Sequence, residues 1–299
     1  MNNKSIFYFG PEPWDGLWRN RHQLMSRLAK TNDVWYVEPP TLLRHLIRRR
    51  KNRTKLYTRD ASGVNIFHSP WWLPVIGREP LKKPSIRIFL FVLSRVAKLS
   101  NVKPVAWFSK PEMLDYMEAF DASPSIYHVV DEYSGYGNPS DARRDKIEKK
   151  EIVVLTKADL AIVVTPSLFA KKSPHNAHTY LVPNAVNFSA YANCPNEPPD
   201  DMMKISGPII GYTGLISARL DLRLLHAAAS SQPTWNFVFI GAVNESQCGE
   251  EMKHLRGLDN VHFLGQKSVD ATPQYVNQFD VYMIPYALDL RAEHASPLK

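Results

Sequence analysis

The sequence predicts an α/β protein built as two halves, each with a parallel sheet. Three observations carry that expectation. Short apolar runs of strand length alternate with longer amphipathic stretches. The alternation stops at a Pro- and Asn-rich segment after residue 182 and then restarts. The length, 299 residues, suits two ordinary domains.

In chain order, residues 5–9 read as the first strand, and Leu17, Leu24, Met25 and Leu28 stand at helical spacing, so a helix is expected over 18–30. DVWYV at 33–37 reads as the second strand and stops at Pro39-Pro40. Further strands are expected at 64–67, 104–108, 125–130 and 160–164. The last runs into Thr165-Pro166-Ser167, a hydroxyl cap followed by proline at the first helical position. After the restart come a strand at 208–212 and a helix at 221–230. Strands at 236–240, 261–264 and 281–285 follow, the first two ending at Gly241 and Gly265. The expected domains are 1–185 and 207–299, with 186–206 as linker. Two such halves are expected to form a cleft that binds a nucleotide at the strand C-termini.

Composition narrows the class. With 44% hydrophobic and 22% charged residues, the chain is an ordered globular protein rather than a disordered one. Only Cys194 and Cys248 occur, which excludes a disulfide framework and suits a reducing compartment. MNNKSIFYFG enters a strand directly, without the sections of a secretory signal. The apolar stretch 86–99 is interrupted by Arg87, Arg95 and Lys98, too short and too charged to span a bilayer. A cytoplasmic protein is expected, soluble or peripheral on the inner face of the membrane. Charge divides unevenly: residues 1–190 hold 29 basic and 17 acidic side chains, a net +12, and the remainder holds 8 and 12, a net −4. The basic half therefore suits an anionic partner: lipid, a phosphate-bearing substrate, or nucleic acid.

Four stretches carry candidate chemistry. In GPIIGYTGLISARLD, 207–221, a strand enters a turn with Gly211 and Gly214, then a polar loop with Arg219, then a helix. Glycine lets backbone approach a phosphate and arginine offers a forked donor, although a purely steric glycine turn reads the same way. In VVDEYSGY, 129–136, Asp131 and Glu132 stand at a strand tip, where a carboxylate can orient an acceptor hydroxyl or take its proton. A solvated turn or a helix cap is the bland alternative, and His128 reads as a core histidine. In PEPWDGLWRNRHQL, 11–24, the residues Asp15, Gly16 and Arg21 crowd the loop after the first strand, where they would meet substrate, or simply cap a helix. The basic run 44–55, with Trp71-Trp72 beyond it, suits an anionic membrane surface or a solvated face. No helix-turn-helix, zinc-finger or RNA-recognition signature accompanies it, so nucleic acid is not expected as partner.

Taken in order, LVPNAVNF (181–188), the 207–221 stretch, WNFVFIG (235–241), NVHFLGQ (260–266), FDVYMIPY (279–286) and SPLK (296–299) resemble bacterial glycosyltransferases of family 4, or group 1. WDGLWRNRHQL, YVEPP and YHVVDEY in the front half are similar to the same group. The resemblance implies the GT-B architecture: two facing Rossmann-like domains, the second holding a nucleoside diphosphate sugar. By this likeness Gly214 and Arg219 would lie at the donor diphosphate, Gly265 and Gln266 near the base, and Ser296 and Lys299 toward the phosphates. Asp131 would be the catalytic carboxylate on the acceptor side. Two departures stand out. Arg219 is not followed by the family's lysine, and the glutamate-bearing helix after SPLK is missing, so the second domain reads as incomplete.

The expected function is transfer of a sugar, with retention of configuration implied by the family, to a hydroxyl acceptor in cell-surface polysaccharide or glycolipid synthesis. The acceptor could be lipid-linked. No Asp-x-Asp or other metal motif stands out, so no cofactor or metal is expected. The alternatives are a nucleotide-sugar epimerase of the same architecture, a non-catalytic basic binding protein, and an inactive truncated remnant.

Overall fold

The computed structural model describes residues 2–16, 18–40, 55–70, 75, 79–99, 102–135 and 141–288. Nearly all of the basic run, Trp71-Trp72, Ser296 and Lys299 lie outside the described residues. The described chain falls into two compact units that divide between Asn184 and Ala185.

The first unit is built on eight strands: β1 (Ser5–Phe9), β2 (Asp33–Val37), β3 (Tyr57–Arg59), β4 (Asn65–Phe67), β5 (Val105–Phe108), β6 (Ser125–Val129), β7 (Leu160–Val163) and β8 (Thr179–Leu181). They lie in the order β3-β4-β2-β1-β5-β6-β7-β8. Every neighbouring pair is parallel except β3 and β4. The helices are α1 (Asn20–Leu28), α2 (Lys82–Val96), α3 (Leu114–Ala119), α4 (Asp141–Lys157) and α5 (Pro166–Lys172).

Both faces of this sheet are buried because successive strand residues point to opposite sides and each side has helices to cover it. Phe7, Phe9, Trp35 and Phe108 pack with Phe89 and Leu93 of α2 on one face. Ile6, Tyr8, Val34 and Tyr36 pack with Met25 of α1 on the other. Phe9 and Phe108 stack across β1 and β5 with centroids 4.8 Å apart, a geometry that adds about 1 kcal/mol beyond its buried area. α5 starts where its sequence says it should. The Leu168 N–H donates to Thr165 Oγ1 at 3.2 Å, and Pro166 fills the first position.

The second unit holds α6 (Phe188–Ala192), β9 (Ile209–Thr213), α7 (Leu222–Ser231), β10 (Asn236–Ile240), α8 (Glu245–Arg256), β11 (Val261–Phe263), α9 (Thr272–Val276) and β12 (Val281–Tyr282). Its four strands are parallel in the order β11-β10-β9-β12. Tyr212, Phe237 and Phe239 pack against Leu225 of α7 and Met252 and Leu255 of α8. In each sheet the strand order turns at the unit's first strand, β1 or β9, and such turning points leave a crevice at the strand tips.

The structure departs from the sequence expectation in two unannounced strands and in the linker, and it gives a helix to residues 86–99, to which no element had been assigned. β3 is an antiparallel edge strand whose three residues are all exposed, so no apolar alternation announced it. β8 was missed for the same reason, since Tyr180 and Leu181 are exposed. The stretch 86–99 lies mostly in α2, which buries Ile86, Phe89, Leu90 and Leu93 at three- and four-residue steps. Within the expected linker, Met202 is buried and packs with Val238, Ile240 and Tyr275, so the end of that segment belongs to the second core. No helix among the described residues is long and apolar enough to cross a membrane.

Candidate functional site

Three neighbouring strands of the second unit end on glycines with positive φ: Gly214 after β9 (φ 140°), Gly241 after β10 (φ 149°) and Gly265 beyond β11 (φ 71°). Backbone bonds tie them into a row. The Gly214 N–H donates to Ile240 O at 2.8 Å, and the Gly241 N–H donates to Gly265 O at 2.8 Å. A Cβ at position 241 would sit 1.9 Å from the Gly214 carbonyl oxygen, so this approach requires glycine. The result is a rim of bare backbone along the strand tips. Sequence reading treated Gly241 only as the end of a strand. Its partnership with Gly214 needed the β9–β10 register.

The loop after Gly214 is pinned over the end of β12. The Arg219 guanidinium lies over the Tyr286 ring, 4.6 Å from its centroid. The Ala287 N–H donates to Arg219 O, and the Asp221 N–H to Pro285 O, each at 2.9 Å. Buried Tyr212 donates to Leu215 O at 3.1 Å, and burial raises its pKa, so the phenol stays a donor. The N-terminus of α7 is not open to an anion, because Asp221 caps it, accepting from Leu224 N at 2.9 Å. That terminus already has its carboxylate. Gly265 and Gln266 are exposed at the other end of the glycine row.

In the first unit, the loop after β1 is held from below. A Cβ at Gly10 would overlap the Tyr36 ring, 2.2 Å away. The Trp14 N–H donates to Glu38 Oε1 at 3.1 Å, and its indole N–H to Asp60 Oδ2 at 3.1 Å. Glu38 Oε2 lies 3.0 Å from His68 Nδ1, and His68 Nε2 is 2.9 Å from the Thr58 hydroxyl. His22 accepts from Arg19 N through Nδ1 (2.9 Å) and bonds Trp14 O through Nε2 (2.8 Å). Burial lowers its pKa, which fits a neutral ring. Asp15 and Gly16 are exposed on this loop, Gly16 with φ 140°. Arg21 is buried and donates to Glu12 Oε2 at 3.1 Å. Its guanidinium braces the loop rather than facing solvent.

At the tip of β6, Asp131 accepts the Glu132 N–H through Oδ1 at 3.0 Å. Glu132 is turned into a buried ionic cluster. Its Oε2 lies 3.1 Å from Lys172 Nζ and 3.2 Å from Lys171 Nζ, and its Oε1 accepts from Ser134 Oγ at 2.9 Å. Lys172 also donates to Glu151 Oε2 at 2.7 Å, and Glu151 Oε1 accepts from the Tyr127 hydroxyl at 2.9 Å. Burial pushes the Glu132 carboxyl up, but the two lysines and Ser134 outweigh it and hold it below the ordinary glutamate range. For Glu151 burial prevails over Lys172 and raises the pKa. Glu132, expected to meet substrate, thus has its carboxylate occupied from within the fold.

No family model matches the chain. Over 203 residues it is 23% identical to TuaH of Bacillus subtilis (strain 168), a protein named as a teichuronic acid biosynthesis glycosyltransferase. The match takes in 64% of this chain and 51% of the relative, so the chain spans about half the length of the curated protein it matches. In fold it is similar to HepE of Anabaena, solved with UDP and glucose, with TM-score 0.60 and 13% identity over 94% of this chain and 73% of that one. It is also similar to WaaG, a glycosyltransferase involved in lipopolysaccharide biosynthesis, with TM-score 0.56 and 11% identity over 94% and 75% of the two chains. The fold is that of GT-B glycosyltransferases, with a Rossmann-like sheet in each unit.

Proposed function

We propose that this chain is a glycosyltransferase that moves a sugar from a nucleoside diphosphate sugar to a hydroxyl acceptor in cell-surface polysaccharide or glycolipid synthesis. The observation that carries the reading is the glycine row Gly214–Gly241–Gly265 at the tips of the second unit's strands, with Arg219 in the loop that follows Gly214, held on Tyr286. Bare backbone lets a diphosphate approach closely, and a guanidinium held on Tyr286 adds positive charge where the departing diphosphate gains negative charge. The UDP bound in HepE and the name of TuaH support the same donor class and product class.

In this reading the donor diphosphate contacts Gly214 and Arg219, and the base lies toward Gly265 and Gln266. Ser296 and Lys299 are added by sequence resemblance alone. The first unit takes the acceptor. Asp131 receives the acceptor hydroxyl proton, and exposed Asp15 and Gly16 meet the acceptor sugar. Arg21 and Glu132 act indirectly, by bracing the loop and the strand tip that carry these groups. The acceptor is lipid-linked, and the enzyme works from the membrane surface.

The test is ligand linkage followed by product analysis. UDP or GDP should raise the melting temperature of the folded chain. Arg219→Ala should weaken that nucleotide by about ten-fold or more, the worth of a charge-assisted contact, without lowering the melting temperature of the free protein. Absence of any nucleotide-dependent shift in a folded sample would sink the donor site. With a matched donor, sugar appearing on the acceptor supports transfer, whereas isomerised free nucleotide sugar would make the chain an epimerase.

A further inference from the structure

α2 covers the first core with one face, and its other face has an unusual make-up. Residues 81–98 contain Lys82, Lys83, Arg87, Arg95 and Lys98 and no acidic residue. Leu81, Ile88 and Phe91, spaced along one side, are 54%, 52% and 58% exposed. Lys82 turns inward to pair with Asp115. Among the described residues Lys83, Arg87, Arg95 and Lys98 have no acidic partner. The Arg95 guanidinium lies over the Phe91 ring, 5.0 Å from its centroid. Beside the helix a recess of about 490 Å³ has Leu90 and Phe120 among its apolar lining, with Arg87 and Lys103 also on its wall.

We propose that this outer face of α2 docks on a bilayer containing anionic lipid. The helix would lie in the interface plane, with Leu81, Ile88 and Phe91 entering the headgroup–acyl boundary and the flanking cations reaching phosphates. That division of apolar strip and basic flanks is the signature of an interfacial helix. Lysine and arginine arms are long enough to keep their charge at headgroup level while the apolar strip descends. Charge decides between lipid and protein as occupant. Protein interfaces are depleted in lysine, and the helix itself offers only cations; the carboxylate of Asp121 on the recess wall is paired with Lys103 at 2.6 Å. An anionic leaflet attracts each such cation independently. The proposal rests on the peripheral part of the reading above and not on its catalytic part. It also places the contact on α2 rather than on the basic run 44–55, where the sequence directed attention.

The experiment is co-sedimentation of the whole chain with vesicles of phosphatidylcholine, alone or mixed with phosphatidylglycerol. The wild type should bind the mixed vesicles and not the neutral ones, and salt should weaken the binding. The double variant Ile88→Glu/Phe91→Glu should lose at least ten-fold in partitioning. Lys83→Ala with Arg87→Ala should lose about five-fold per cation removed. All four positions are on the surface, and thermal unfolding of each variant supplies the fold control, so the result stands whether or not UDP binds. Equal binding to both vesicle types by the wild type overturns the proposal, as does unchanged vesicle binding by a folded double variant. A dimer in solution that Ile88→Glu/Phe91→Glu dissociates overturns it too, since the face would then serve a second protein copy.

Discussion

The strand tips of the two units solve opposite problems. At the end of β6 the tip is closed by side chains: Asp131 and Glu132 are buried, and Glu132 shares Lys172 with Glu151 beneath the surface. At the ends of β9, β10 and β11 side chains are removed, and Gly214, Gly241 and Gly265 leave backbone alone. The first arrangement fixes a carboxylate's position by neutralising its neighbours. The second leaves open backbone, which under the proposed function receives the donor diphosphate. A sheet can therefore prepare its tips for ligand either by anchoring or by omission, and the residues to mutate differ accordingly.

The sharpest way to break the comparison is Gly241→Ala. Its Cβ would meet the Gly214 carbonyl at 1.9 Å from a φ that L residues avoid. The variant should lose roughly 4 kcal/mol or more in denaturant unfolding, since steric overlap and backbone strain add. A near-neutral result would mean that the glycine row is not a close-packed rim. Next comes Lys172→Met, which strands Glu132 and Glu151 without their shared cation. Breaking a buried pair from one side costs about 3–4 kcal/mol, read by the same unfolding curve. If the loss is under half of this, the cluster does not anchor the β6 tip.

The smallest effect concerns acid. Burial lowers the His128 pKa from 6.5 to about 4. Between those values the unfolded chain binds a proton that the folded chain refuses, so stability falls as pH drops through that window, by about 3 kcal/mol at its lower end. His128→Leu should flatten that part of the stability–pH curve while leaving the pH dependence above neutrality unchanged. His22, also held neutral by burial, would retain its own share of the acid loss.

Much of the frame could be read from the chain before folding. β1, β2 and β10 fall where apolar runs such as DVWYV and NFVFI put them, because buried parallel strands write continuous hydrophobic stretches. Thr165 and Asp221 behave as helix caps, which are local signals. The interior polar pairs left no such trace. Lys172 meets Glu151 and Glu132 from 21 and 40 residues away, and Glu38 meets His68 from 30. A lysine at the end of a short helix looks solvated until the neighbouring strand order is known. Gly214 was legible as a candidate because it follows a strand directly. Its dependence on Gly241 belongs to tertiary register. Arg21 and Glu132 were read as facing substrate, whereas Arg21 pairs with Glu12 and Glu132 with Lys171 and Lys172 inside the fold.

The chain of contacts from Trp14 through Glu38 and His68 to Thr58 has a thermodynamic consequence for recognition. It clamps the segment following β1 onto the ends of β2 and β4 and onto β3. A segment already frozen by its own scaffold surrenders little additional freedom when a guest arrives, so more of each contact formed with that guest survives as affinity. Loosening the clamp at buried Glu38 should therefore weaken the acceptor binding proposed at Asp15 and Gly16 through entropy.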